Sequence, residues 1–373
     1  MSRKTIAIFA YTWFSADYHW DETNYENGGI GGSEVWAIRT SDELSRMGYS
    51  VYLFGNPIES HISPSGVKYL SCLLYKPMSE EIKFDYFIFS RIFPYNINEI
   101  KSDNIFIMSH DMAILNMPNT YNDEIGKIKK IFCLSDYHKK QLQIYSPYLP
   151  DSIFCYTKNG VDSYLYEKYN DLPKKNQMVC SSGNERQAMC ITTKVFPLIK
   201  KEVPDFELLL CHYLDTFDEN IYKQDGIKII GDVNNPISKE NLAKAQCESK
   251  IWAYGNTHSY GMSNIYFNET FCITAIEAAC AKSAIIVGED SPFTQTLFGY
   301  NHMICKDLFP YSIVEIMSDE NQEIFARKLA DMAIKCLKDE EYRLSLVNET
   351  YEIGVKSSWA NATEYIINEL KKY

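Results

Sequence analysis

Short apolar runs bounded by polar loops recur along the first half of the chain and alternate with segments of helical periodicity. Ile6–Ala10 predicts a strand, Ser33–Met47 a helix and Val51–Phe54 a second strand. Tyr86–Phe89, Ile105–Met108, Ile131–Leu134 and Ile153–Tyr156 continue the strand series. Runs that are apolar at successive positions suit a parallel sheet covered on both faces. Around Asp162–Gln177 the composition turns to Tyr, Asp, Asn, Lys and Pro, which predicts a linker. The alternation then restarts, with strands at Met178–Cys180, Leu208–Cys211, Ile227–Ile230, Ile251–Tyr254 and Ile285–Val287. Helices are expected at Arg186–Lys201 and Phe271–Ala281. Two successive alternations predict an α/β protein of two doubly wound domains facing a central cleft. Their expected extents are 1–165 and 166–345, followed by a helical tail at 346–373 that could pack back on the first domain. Helical composition also covers Asp319–Leu337, with Ser318 as its N-cap, Glu340–Ile353 and Ala360–Leu370.

At 373 residues the chain exceeds what a single core usually supports, which agrees with two domains. No run approaches the ~20 uncharged apolar residues of a membrane span. The opening Met-Ser-Arg-Lys-Thr leads straight into a strand and lacks the pattern of a secretion signal. The eleven cysteines follow no metal or disulfide spacing, and Cys133, Cys180, Cys211, Cys272 and Cys280 sit in apolar runs. A reducing, cytoplasmic location is expected. A formal charge of −12 argues against nucleic acid as a partner. The short basic clusters Lys127, Lys129, Lys130 and His138, Lys139, Lys140 read as solvated surface, allowing at most peripheral membrane contact.

Glu269-Thr-Phe-Cys-Ile-Thr-Ala-Ile-Glu277 places two glutamates eight positions apart at a helix start, with Thr270 as the expected N-cap. At about 100° per residue they would lie roughly 80° apart around a helix containing both. Alternatively Glu269 stands in the loop just before it. The helix mouth offers unpaired amides and the positive end of the dipole, which suits a diphosphate. Glu277 lies among Ala275, Ile276, Ala278 and Ala279, so its carboxylate is expected to be buried and to need partners. The plainer alternative is one glutamate complementing the dipole and one solvated helix glutamate.

Asn27-Gly-Gly-Ile-Gly-Gly-Ser-Glu34 precedes the first long helix. Its glycines admit close backbone approach to a ligand or form a simple turn. The loop fits neither the dinucleotide fingerprint nor a P-loop, so an oxidoreductase is the least expected class. Ile105–Met108 runs into Ser109-His110-Asp111, and Asn159-Gly-Val-Asp162 reads as a turn. Ser181-Ser-Gly-Asn-Glu-Arg186 follows the first strand of the second domain, where an arginine fork suits phosphate.

The phrase Glu-Thr-Phe-Cys-Ile-Thr-Ala-Ile-Glu-Ala resembles the Glu-x7-Glu motif of retaining glycosyltransferase family 4, which has the GT-B fold of two Rossmann-like domains. The weaker motifs follow the family's order over roughly residues 5–300. The resemblance implies a retaining transferase moving sugar from a nucleotide-sugar donor to a glycan, lipid-linked or other hydroxyl acceptor. It implies that Glu269 lies by the donor sugar and Glu277 on the ribose, with the amides of Phe271, Cys272 and Ile273 near sugar and phosphate. His110 would stand near the donor sugar, Arg186 on the diphosphate, and Gly31 and Gly32 against the donor.

The family's lysine after that arginine is replaced by Ile191 and Thr192, which leaves Lys194 and Lys244 as candidates. Its Gly-x-Pro-Val reads Lys282-Ser-Ala-Ile-Ile here, and an insertion at 256–268 precedes Glu269. No Asp-x-Asp occurs, so neither a metal nor another cofactor is expected. The departures keep two other outcomes open: a GT-B nucleotide-sugar epimerase, and a binding scaffold without turnover. Trp13, Tyr18 and Trp20, in an aromatic-rich segment, form either an acceptor platform or local packing under a loop.

Overall fold

The computed structural model describes residues 3–10, 18–95, 97–181, 190–211, 223–232, 234–254, 269–287 and 319–373, the side chains of 319, 321 and 322 excepted. Trp13, Arg186 and the expected cap Ser318 lie outside the described residues.

The chain forms two compact units. Unit 1 holds residues up to Glu26, Ile30–Gly160 and Ser357–Tyr373, and unit 2 holds Val161–Lys356 together with the short stretch Asn27–Gly29. Apart from that short stretch, the chain passes from unit 1 to unit 2 after Gly160 and returns at Ser357.

From its N-terminus the chain runs through β1 (Thr5–Ala10), α1 (Glu22–Asn27), α2 (Gly32–Arg46), β2 (Ser50–Gly55), β3 (His61–Ile62) and β4 (Lys68–Ser71). It continues with α3 (Tyr75–Glu81), β5 (Tyr86–Ser90), β6 (Ile105–Met108), β7 (Ile128–Cys133), α4 (Asp136–Tyr145) and β8 (Phe154–Tyr156). The strands make one sheet in the order β3-β4-β2-β1-β5-β6-β7-β8. All neighbours are parallel except β3, which turns back on β4 at the edge. β5 is buried at every position, so the sequence carries it as an unbroken apolar run. The expected strands are all present; what periodicity missed are the short edge pieces β3 and β4 and the helices α1, α3 and α4. Each of these has too few residues, or too mixed a face, to stand out.

Unit 2 contains α5 (Ser163–Glu167), β9 (Lys175–Cys180), α6 (Phe196–Glu202), β10 (Glu207–Leu210), β11 (Ile227–Ile229), α7 (Lys239–Glu248) and β12 (Ser249–Tyr254). It ends with α8 (Ile273–Cys280), β13 (Ala284–Val287), α9 (Asp319–Lys338) and α10 (Glu340–Lys356). Its sheet is parallel, in the order β11-β10-β9-β12-β13. The last helix, α11 (Trp359–Leu370), belongs to unit 1 and packs on α2. Ser358 caps it by accepting from the Asn361 amide at 3.2 Å.

In each unit the first strand is central and the chain then reverses direction across the sheet, between β1 and β5 and between β9 and β12. Such switch points leave a crevice beyond the carboxyl ends of the two strands, where doubly wound sheets hold their ligands.

The expected linker is more ordered than its composition suggested. Lys174 reaches inward and donates to the carbonyls of Ser249 at 3.0 Å and Ala281 at 2.7 Å, tying the ends of α7 and α8 together. Burial lowers its pKa to about 7. The α8 helix is also fixed from the other side. A Cβ on Gly354 of α10 would stand 2.8 Å from the Cys280 amide nitrogen, so only glycine allows this approach. Gly354→Ala is therefore expected to destabilise unit 2 by about 1–3 kcal/mol through overpacking. That exceeds the ~1 kcal/mol alanine gains in helix propensity. A denaturant titration showing unchanged or raised stability would contradict this packing.

Candidate active site

In unit 1, β5 ends level with β1, Ser90 facing Ala10, and the next residue is Arg91. Arg91 has φ +72°, in the left-handed region that costs a side-chain-bearing residue ~1–3 kcal/mol. Its guanidinium offsets that cost with a fork onto Asp111, Nε to Oδ2 at 2.6 Å and Nη2 to Oδ1 at 3.2 Å. Nη1 donates to Ser33 Oγ at 3.0 Å, and Ser33 Oγ donates onward to Glu34 Oε2 at 2.9 Å. Glu34 is only 2% exposed; its Oε1 lies 3.9 Å from Arg91 Nη1 and has no hydrogen-bond partner among the described residues. Burial raises its pKa, opposed by its own backbone N–H, by Arg91 and by Ser33.

The glycine loop opens α2, as its position before a helical segment predicted. Gly31 is the N-cap of α2 and Gly32 its first residue. Glu34 Oε2 lies 2.5 Å from where a Gly31 Cβ would stand. The helix mouth is thus already supplied with a carboxylate, and a phosphate approaching Gly31 and Gly32 would meet that charge.

His110 packs edge-on against Trp36, ring centroids 5.1 Å apart. Burial, then the Arg91 charge, hold its pKa well below the ordinary histidine value, so the ring is neutral. His138 is fully buried and braces the same turn, contrary to its reading as solvated surface beside Lys139 and Lys140. Its Nδ1 accepts from the Leu134 amide at 3.2 Å, which places the proton on Nε2, and Nε2 donates to the Asp111 carbonyl at 2.8 Å. The signal was present in the spacing of Leu134, His138, Gln141 and Leu142, one buried face that starts at the Ser135 cap.

Tyr18 is half-buried, its hydroxyl proton retained by burial and by the Glu34 charge, with the Gly31 backbone opposing. Trp20 is 1% exposed, its ring filling the space over Gly55. Of the two readings of the aromatic segment, Trp20 follows local packing and presents no face to an acceptor.

In unit 2, β12 ends at Tyr254 beside β9, whose next residue is Ser181. Trp252 Nε1 and Ser181 Oγ are hydrogen-bonded at 2.9 Å. Glu269 precedes α8 in the loop. Its Oε1 accepts from the Thr270 and Phe271 amides at 3.2 Å each, and its Oε2 accepts from Tyr254 Oη at 3.4 Å. The Phe271 amide is therefore occupied by Glu269. The expected N-cap Thr270 is displaced by Cys272, whose extended backbone starts the helix and whose side chain makes no cap hydrogen bond. The first amides of α8, from Ile273 on, have no intrahelical partner by the geometry of any helix start.

Glu277 sits one turn further in, 4% exposed. Lys239 Nζ donates to its Oε1 at 3.1 Å, while Oε2 is buried without a hydrogen-bond partner among the described residues. Lys239 is the cation the sequence reading missed. It opens α7 behind the Ser238 cap, and that short helix had no expected boundary to anchor it. Of the two lysines expected to serve instead, Lys194 pairs with Glu323 at 2.5 Å. Lys244 is exposed on α7, lining a groove of about 840 Å³ with Asn234, Asn235 and Asn241.

The sequence matches no family model and no curated protein. Solved structures do match over the full chain. Sucrose-phosphate synthase from Thermosynechococcus elongatus aligns with a TM-score of 0.67 at 12% identity, covering 99% of each chain. The fold is that of the GT-B glycosyltransferases. WaaG, a glycosyltransferase involved in lipopolysaccharide biosynthesis, aligns at 0.61 with 11% identity over 99% of this chain and 100% of its own. Anabaena HepE, solved in complex with UDP, aligns at 0.62 with 10% identity over the same shares. Within this GT-B frame Glu269 and α8 follow the carboxyl end of β12, at the switch point of the second sheet. No described helix is long and apolar enough to cross a membrane.

Proposed function

We propose that this chain is a glycosyltransferase that takes its sugar from a nucleotide-sugar donor and retains the configuration at the transferred carbon, as family 4 enzymes do. The observation that carries the reading is Glu277: a buried carboxylate with one oxygen on Lys239 and the other without a hydrogen-bond partner among the described residues, on a helix whose N-cap side chain makes no cap hydrogen bond. A buried acceptor of this kind costs ~1–3 kcal/mol unless something donates to it, and ribose hydroxyls are suitable donors. The first-turn amides of α8, beyond the pair that Glu269 occupies, suit the diphosphate. Among the neighbours, HepE is described in complex with UDP-glucose, which supports a nucleotide-sugar as the donor class.

In this reading the bond between the donor carbon and the phosphate oxygen breaks while the acceptor hydroxyl oxygen attacks from the same face. The departing phosphate oxygen takes the hydroxyl proton. Arg186, Lys239 and the first amides of α8 stabilise the leaving charge without a metal. Glu269, before α8, is assigned to the donor sugar by the same analogy. The acceptor is a glycan or another hydroxyl compound, and the setting is cytoplasmic.

A thermal-shift series with nucleoside diphosphates and their sugars tests the donor. A cognate ligand at 100 times its Kd stabilises the folded chain by about 2.7 kcal/mol, and no shift with any of them would remove the reading. Product analysis with Arg186→Ala should then show slower sugar transfer. Isomerised sugar nucleotide formed without acceptor would point to an epimerase instead.

A further inference from the structure

Away from these residues, at the edge of the first sheet, Asp21, Glu22 and His61 bring one ligand atom each within 4.8 Å of the other two. His61 Nδ1 lies 2.9 Å from the Glu59 carbonyl, so that nitrogen carries a proton and donates it. Nε2 then faces both Glu22 oxygens at 3.0 and 3.1 Å. An imidazole with its outer proton fixed on a carbonyl points a lone pair at a carboxylate, and only a cation or a second proton between them relieves that. Metal-ligating histidines are oriented in this way, the far N–H on a backbone carbonyl and the near nitrogen on the ion. Zinc–ligand bonds of ~2.0–2.2 Å put neighbouring tetrahedral ligand atoms about 3.4 Å apart, close to the His61–Glu22 separation. Asp21 Oδ1 is engaged by the Thr23 amide and hydroxyl at 2.9 and 2.6 Å, which orients the carboxylate and leaves Oδ2 for a ligand.

An independent observation comes from Tyr69. Its ring stacks on the His61 imidazole, centroids 5.0 Å apart and planes 2° from parallel. The residue is 1% exposed and its hydroxyl has no hydrogen-bond partner among the described residues. The carboxylates of Asp42, Glu22 and Asp21 are the acidic groups whose charge reaches that hydroxyl. A buried hydroxyl left unsatisfied in a native fold calls for a partner, an ion among them.

We propose that Asp21, Glu22 and His61 form a site for a divalent cation of the zinc class, beside the buried Tyr69 ring that stacks on His61. One nitrogen and two carboxylate oxygens suit zinc or its neighbours better than the harder magnesium or calcium. The ion would pin the start of α1 to the edge strand β3. The site is separate from the transferase chemistry and does not depend on that reading.

The test uses the full chain after chelator treatment, titrated calorimetrically with zinc. A single saturable ion is expected, accompanied by a rise in Tm. His61→Ala and Glu22→Gln should each weaken it at least about tenfold, the scale on which even outer partners of metal sites act. Should His61→Ala fail to fold, the isosteric Glu22→Gln decides. Cobalt(II) in place of zinc should give weak visible bands only. The idea is overturned by no saturable binding, by equal affinity in Glu22→Gln, or by an intense near-ultraviolet thiolate band that places the ion on cysteines.

Discussion

Glu277→Gln is expected to weaken the binding of the nucleoside diphosphate that stabilises this chain by about 10- to 100-fold, with little change in unliganded Tm. The carboxylate presents a charged acceptor in a buried place, and a hydrogen bond to a charged group contributes ~1.5–3 kcal/mol. Each 1.4 kcal/mol is about tenfold in Kd. The amide keeps the shape and one acceptor but loses the charge, and its NH2 group meets a ribose hydroxyl less favourably. The variant also releases Lys239, whose side chain is 16% exposed and otherwise neutralises Oε1. A freed ammonium near a diphosphate would partly offset the loss, so Glu277→Gln should be measured again with Lys239→Met. The double variant should bind more weakly than either single one. Isothermal titration decides: full affinity in a folded Glu277→Gln protein would move the nucleotide away from α8.

Acid should loosen the first unit before the pH reaches the range of ordinary carboxylates. Burial holds His138 at a pKa of about 4, against 6.5 for an exposed histidine. Between those values the unfolded chain binds a proton that the native ring refuses, so stability falls as pH drops from 6.5 towards 4. The difference is about 2.5 pH units at 1.36 kcal/mol each, roughly 3 kcal/mol from this residue. His110 acts in the same direction. The two units need not unfold together, so a global transition is a poor gauge. Hydrogen exchange of the β6 and β7 amides reports the local opening free energy directly. Protection there should fall between pH 6.5 and 4 in the native protein. In His138→Gln, which retains a donor for the Asp111 carbonyl, protection should be lower at pH 8 but fall less steeply. Parallel pH profiles would mean that the ring titrates normally.

The placement of His138 also shows where composition misleads. Beside Lys139 and Lys140 it reads as part of a basic surface, yet it lies on the inward face of α4 while Lys139 turns out to Asp151. The helical period separates neighbours in sequence by about 100°. Lys239 was hidden for a different reason. A lysine at a helix start is ordinary in sequence, and its meaning comes from a glutamate 38 positions later. Arg91 likewise gave no signal, because its strained backbone follows from a fork onto Asp111 that only the adjacency of β5 and β6 creates.

The chain by itself determined the series of buried strands, the division into two doubly wound units and the burial of Glu277 within a helix. Those features are local: an apolar run of the right length must be buried, and glutamate amid small apolar residues must go in with its helix. Which cation meets Glu277, which histidine braces the turn at Asp111, and that the glycine loop carries its own carboxylate were decided only by tertiary structure. Each depends on side chains brought together by strand order. A hydrogen bond or close ion pair forms only when its groups come within about 4 Å, and separation along the chain carries no record of that approach.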